Sequence, residues 1–137
     1  MRHTLILAIL IFSIPSCNSG LDGTVIEEKV TSSSGHTLNI RREVYGLTGS
    51  NDKIYVGIGD QIDSSSYFMF YGSAGFYYKM VNDTIKIYTT KTSHIPQNLN
   101  LKGIVVDQIS LNYKEMMELK KNQSILGLKS LEVPLKE

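Results

Sequence analysis

The chain reads as an α+β domain, a mostly antiparallel β-sheet with one helix near its C-terminus. The alternative is a small β-sandwich or barrel with a peripheral helix. Three observations predict it. Segments of alternating apolar and polar residues recur between clusters of Gly, Ser, Asn and Asp, the pattern of half-buried strands joined by turns. Two such runs meet at Asn82-Asp83 in FYYKMVNDTIKIYT, which is a hairpin signal. One later stretch, Tyr113 to Lys121, is rich in helix formers and follows a capping residue.

The first strand is expected over Thr24 to Thr31, with Val25, Ile26 and Val30, and Ser32 to Gly35 form a turn. His36 to Tyr45 then alternates. Leu38, Ile40 and Val44 point one way, while Thr37, Asn39, Arg41 and Glu43 point the other. Arg42 interrupts the apolar row near the strand end, where a long side chain can snorkel to water. Gly46 to Asp52 reads as a turn cluster, and Lys53 to Gly59 places Ile54, Val56 and Ile58 on one face. Tyr67 to Tyr71 is a short aromatic strand between Ser64-Ser65-Ser66 and Gly72-Ser73.

The hairpin is the sharpest local expectation. Asn and Asp tolerate positive φ, although Gly is missing at the second position. With Val81 opposite Thr84, one face holds Met80, Ile85, Tyr78, Ile87, Phe76 and Thr89. The other face holds Val81, Thr84, Lys79, Lys86, Tyr77 and Tyr88, and a one-residue slip destroys the separation. Lys79 then opposes Lys86, and directly opposed like charges repel. A solvated face with a nearby acid relieves this. A docking site for an anionic group, flanked by Tyr77 and Tyr88, is the functional alternative.

His94 to Lys102 is expected to be a loop, and Ile104-Val105-Val106 a short buried strand. Asn112 followed by Glu115 fits an N-cap with its capping-box partner. Glu115 and Glu118 come early and Lys120 and Lys121 late, as the helix dipole prefers. Tyr113, Met116, Met117 and Lys120 share a stripe at helical spacing, expected to be a core face. Asn122 stops the helix, and Leu126 to Val133 is expected to return as a last strand before Pro134.

The 137 residues suit one domain, and 42% hydrophobic with 20% charged residues is a globular balance. A formal net charge of +1 provides no field for nucleic acid. Cys17 is the only Cys, so no intrachain disulfide forms. No metal site is expected, because His36 and His94 lack Cys partners and zinc spacing. Asp60 and Asp63 lack the further acids of a Ca²⁺ loop. Gly57-Ile58-Gly59 has Ile62 where a dinucleotide fingerprint needs its third Gly, so no cofactor is expected. Gly72-Ser73-Ala74-Gly75 lacks the spacing of a nucleophile elbow. No catalytic residue is assigned.

The N-terminus has the three-part layout of a secretory signal. Arg2 and His3 are basic, Leu5 to Phe12 is continuously apolar, and Ser13, Pro15 and Ser16 follow. The apolar run is well short of the roughly 20 residues that span a bilayer. Ile14-Pro15-Ser16-Cys17 resembles the bacterial lipobox, with Pro15 and Ile14 departing from its commoner residues. That resemblance implies cleavage before Cys17, a thioether-linked diacylglycerol on its sulfur, and acylation of the new amine. Residues 1–16 would then be the signal peptide, 17–23 a lipidated tether, and 24–137 the domain. Six polar, Gly-rich tether residues reach at most about 20 Å, so the domain would sit close to the membrane. Some Bacteroidota-type envelope lipoproteins carry acidic runs after the Cys that send them to the cell surface. Here only Asp22 is acidic, which favours the periplasmic face.

A second resemblance lies in VTSSSGHTLNIRREVYGLTGSNDKIYVGI, Val30 to Ile58. It is similar to a segment of small bacterial envelope proteins, in which a turn, a strand, a Thr/Gly/Ser loop and a second strand follow one another. It implies β structure and an envelope setting, and it carries no catalytic residues. The functional expectation is a lipid-anchored envelope protein that binds a protein partner, of accessory, immunity or inhibitor type. Tyr77, Lys79, Lys86 and Tyr88 are its candidate partner-binding residues. Eight tyrosines suit an interface, because the ring is apolar and its tip polar. The competing expectation is a hydrolase of an envelope polymer.

Overall fold

A computed structural model describes residues 23–46, 51–59, 67–71, 75–90 and 101–132. The expected signal segment, Cys17 and most of the tether lie outside these residues, as do Asp60, Asp63 and His94. The elements are β1 (Thr24–Thr31), β2 (Thr37–Tyr45), β3 (Asn51–Gly57), β4 (Tyr67–Tyr71), β5 (Phe76–Val81), β6 (Thr84–Thr89), β7 (Val105–Ser110) and α1 (Tyr113–Lys121). They form a four-stranded sheet in the order β1-β2-β3-β4 and a three-stranded sheet in the order β5-β6-β7. Four of the five strand pairings are antiparallel, as the α+β reading requires, and the described strands do not close into a barrel.

The two sheets share one core. Leu38 and Ile40 of β2, Ile54 and Val56 of β3 and Phe70 of β4 pack with Phe76 and Tyr78 of β5 and Ile85 and Ile87 of β6. Phe70 meets Phe76 edge-on, with ring centroids 5.3 Å apart, a favoured aromatic geometry. The inward set of β5 and β6 is the set that alternation predicts, and the register of the hairpin is the expected one, Val81 opposite Thr84 through Phe76 opposite Thr89. Asn82 takes a φ of 55 at the turn, a conformation Asn tolerates. The neighbouring Asp83 stands where Gly is commoner because its carboxylate accepts from the Ser34 N–H at 2.8 Å. The Ser33 N–H donates to the Asn82 carbonyl at 3.2 Å, so the hairpin turns of the two sheets are tied together.

Several elements depart from the sequence expectations. The turn cluster Gly46 to Asp52 ends earlier, since Asn51 and Asp52 already belong to β3. Asp52 is buried there because Arg42 reaches it. Arg42 does not snorkel: its Nε and Nη2 grip the two Asp52 oxygens at 2.9 and 2.7 Å, and Nη1 donates to the Leu131 carbonyl. The short strand expected at Ile104 to Val106 runs instead from Val105 to Ser110, parallel to β6. A parallel partner needs a long crossover, and the sequence leaves room for one between Thr89 and Val105, most of it outside the described residues. Lys102 and Gly103, both at positive φ, turn the chain so that Leu101 and Ile104 reach the core.

The expected last strand, Leu126 to Val133, does not form. Residues 122–127 are turns, and only Lys129 bridges to β5, through a reciprocal pair of 2.9 Å bonds with Tyr78. Leu128 packs on the outer face of the second sheet, whereas Leu131 enters the shared core. Leu128 and Leu131, three residues apart, fall on opposite faces as strand alternation requires, but the backbone pairs with β5 only at Lys129, so no strand forms.

Candidate functional site

The helix forms as its residues dictate. The Asn112 side chain accepts from the Glu115 N–H at 2.9 Å, and the Glu115 carboxylate accepts from the Asn112 N–H at 2.8 Å. This closes the capping box. The expected apolar stripe is only partly buried. Met116 and Leu119 face the sheet, while Tyr113 is 78% and Met117 40% exposed. The helix packs over Gly75, where a side chain's first carbon would lie 3.2 Å from Met116, at a φ of 96 that also favours glycine.

This packing covers part of the face expected to dock a partner. Tyr77 is 7% exposed and forms a second apolar cluster with Met116 and Leu128, against which Tyr88, Leu111 and Leu119 pack. Burial raises the Tyr77 phenol above its ordinary pKa, with Glu132 adding to the effect. Lys79 and Lys86 are half-buried and opposed as expected. Asp107 sits beside Lys86 in register on β7, which supplies the nearby acid. The Lys79 ammonium donates to the Leu126 carbonyl at 3.4 Å. The four residues thus sit together on β5 and β6, with Tyr77 covered by α1, Tyr88 packed beside it, and Lys79 and Lys86 half-buried. Alternation along a strand separates two faces and says nothing about which of them a second layer covers.

What remains open lies at the margin of that cluster. A hollow of about 570 Å³ runs along α1, with Tyr88, Leu111, Leu119 and Leu126 among its lining and Asn112, Lys114, Glu115, Glu118 and Asn122 completing it. Large exposed apolar side chains stand near it in the sequence: Leu126, 43% exposed, lines it, and Ile125 beside it in the chain is 86% exposed, while the exposed Tyr113 and Met117 point to the other side of α1. Sequence reading placed Leu126 at the start of a strand, assigned Ile125 to no element, and so missed them. The available signal was two aliphatic residues directly after a helix stop.

A polar cluster ties the other side of the molecule. Glu28 of β1 accepts from the Tyr78 hydroxyl and from Lys129 Nζ, the latter at 2.6 Å. Burial alone would raise Glu28, but these two donors outweigh it and hold the carboxyl below its ordinary value. Tyr78 is driven far upward, first by burial and then by its bond to Glu28. Asp83 is also lowered, chiefly by the Ser34 N–H. Among the described residues no group of three His, Cys, Asp or Glu side chains could hold a metal, and no helix is long and apolar enough to cross a membrane. No family model, curated protein or solved structure matches the chain.

Proposed function

We propose that the chain is a cell-envelope protein, held to the membrane by lipid on Cys17, that acts by binding a protein partner. The observation that carries the binding half is the open hollow beside α1, lined by Tyr88, Leu111, Leu119 and the 43% exposed Leu126, with the 86% exposed Ile125 next to Leu126 in the chain. Full burial of an aliphatic side chain such as Ile125 contributes about 2 kcal/mol, so a protein of this size gains by covering them. The rim presents both Lys114 and Glu118, while the Glu115 carboxylate is already engaged in the cap. A rim of mixed sign suits the mixed charge of a protein segment better than a polyanion. The hollow is wide open rather than enclosed, which suits an apolar side chain presented by a partner's helix or loop more than a free small molecule. The lipobox-like Ile14-Pro15-Ser16-Cys17 supports the anchor, and two or three acyl chains make release from a membrane negligible.

The test is fractionation and crosslinking in the intact envelope. The reading expects acyl chains on Cys17 by mass spectrometry. It also expects a crosslinked protein that is lost from the folded Glu118→Ala/Leu126→Asp variant, both residues lining the hollow, and that keeps its affinity for the wild type once purified. An unmodified N-terminus at another residue overturns the anchor. A partner unaffected by the double substitution overturns the hollow as its site.

A further inference from the structure

The register of β1 on β2 sets Thr24 opposite Val44, which brings Gly23 opposite Tyr45. A side chain has no room there, since its first carbon would fall 2.0 Å from the Tyr45 ring. The ring thus lies across the point where the chain enters β1. Tyr45 is 37% exposed, and Val25, its diagonal neighbour on the same outer face, is 44% exposed. The rest of this face on β1 and β2 is polar. Its acids nearest the corner are neutralised, Glu43 by Arg41 Nε at 2.8 Å and Glu27 by the same atom at 3.5 Å. On these two strands the exposed apolar surface is therefore the corner at Gly23.

We propose that this corner rests on a lipid surface, with Tyr45 and Val25 at the depth of the headgroups. The inference rests on the lipid anchor at Cys17 proposed above. The chain from Cys17 to Gly23 reaches at most about 20 Å, so an anchored protein keeps this corner beside the bilayer. A tyrosine suits that depth, because its ring is apolar and its tip polar. Two side chains do not hold a free protein on a membrane. The anchor makes the contact intramolecular, and a small patch then suffices to set orientation. Strand β1 has eight residues, about 25 Å. Just past its far end, Ser33 and Ser34 are tied to Asn82 and Asp83 of the β5–β6 turn. That turn points away from the lipid. Lys79, whose ammonium meets the Leu126 carbonyl, lies close to it. The Leu126 end of the hollow is thereby lifted clear of the membrane.

The test places the lipidated protein, purified from the envelope, in phosphatidylcholine vesicles containing acyl-chain-brominated phosphatidylcholine as quencher. The chain has no Trp, so one introduced Trp reports alone. Tyr45→Trp should shift its emission to the blue and lose about half of it to the brominated lipid. Val25→Trp should behave alike, and it gives an independent reading if replacement at 45 disturbs the packing over Gly23. Val105→Trp, exposed beside the β5–β6 turn, should keep its emission. Protein that does not float with the vesicles overturns the anchor and this orientation with it. Protein that floats yet is unquenched at both 45 and 25 leaves the anchor standing and overturns the corner as its contact. Quenching as strong at 105 as at 45 and 25 also overturns it.

Discussion

The Tyr78 hydroxyl donates to the Glu28 carboxylate, joining the buried face of one sheet to the edge strand of the other. Lys129 completes the cluster from the C-terminal segment. One carboxylate thus holds three stretches of chain far apart in sequence.

Tyr78→Phe should cost about 1–2 kcal/mol in urea melts, since it removes a hydrogen bond to a charged group. The pH dependence carries a sharper signature. The folded state raises the Tyr78 pKa above its ordinary value of 10.0, so above that pH the unfolded chain loses a proton that the folded one keeps. Stability must then fall as pH rises past about 10. Burial also raises Tyr55 and Tyr77, so in Tyr78→Phe the slope should shrink without vanishing. At the acid end the lowered Glu28 contributes fully above 4.5, and that contribution is lost as pH falls below this value. An alkaline slope identical in wild type and Tyr78→Phe would show that the bond does not form.

Arg42→Ala should destabilise by about 3 kcal/mol, because it strands the buried Asp52 carboxylate and leaves the Leu131 carbonyl without its donor. Arg42→Lys should recover only part, as an ammonium cannot make the two-pronged contact and reach Leu131 as well. Chemical denaturation of both variants checks the order. A loss under about 0.5 kcal/mol in Arg42→Ala would contradict the pairing.

The hairpin separates three substitutions. Ile87→Asp puts an unpartnered charge into the shared core and should cost several kcal/mol or abolish folding. Lys86→Asp should change stability by about 0.5 kcal/mol or less, since it relieves Lys79 but then faces Asp107. Tyr77→Ala should cost about 3 kcal/mol, because the ring is packed under Met116 and Leu128. Near-native stability of Tyr77→Ala would mean that the helix does not cover this face.

The contrast among these residues shows what the sequence could carry. The β5–β6 register was legible because two-residue periodicity and a short turn leave one solution, and α1 was legible because Asn112 and Glu115 satisfy each other locally. Asp52 was misread as a turn residue because its partner, Arg42, comes from the neighbouring strand. The parallel pairing of β7 depends on where a long crossover returns, which local pattern does not encode. Leu128 and Leu131 fit a strand in composition and in alternation, but only Lys129 between them pairs with β5, because turns 122–127 bring the segment to the edge at a single point. Tyr77 and Tyr88 occupy a polar-alternating face that a second layer happens to cover, and the hollow's edge, Ile125 and Leu126, comes from turns that carry no periodicity.

Site-specific photocrosslinking from position 125 tests the central claim most directly, that the protein works by binding a partner at the hollow beside α1. A photoreactive residue there, 86% exposed in the folded chain, should yield one dominant adduct in the intact envelope. The same group at Lys29, exposed on the edge strand β1, should not. The protein in that adduct, once identified and purified, should bind the wild type and bind Leu126→Asp at least tenfold more weakly. The absence of a position-specific adduct, or equal binding by wild type and Leu126→Asp, would contradict the account.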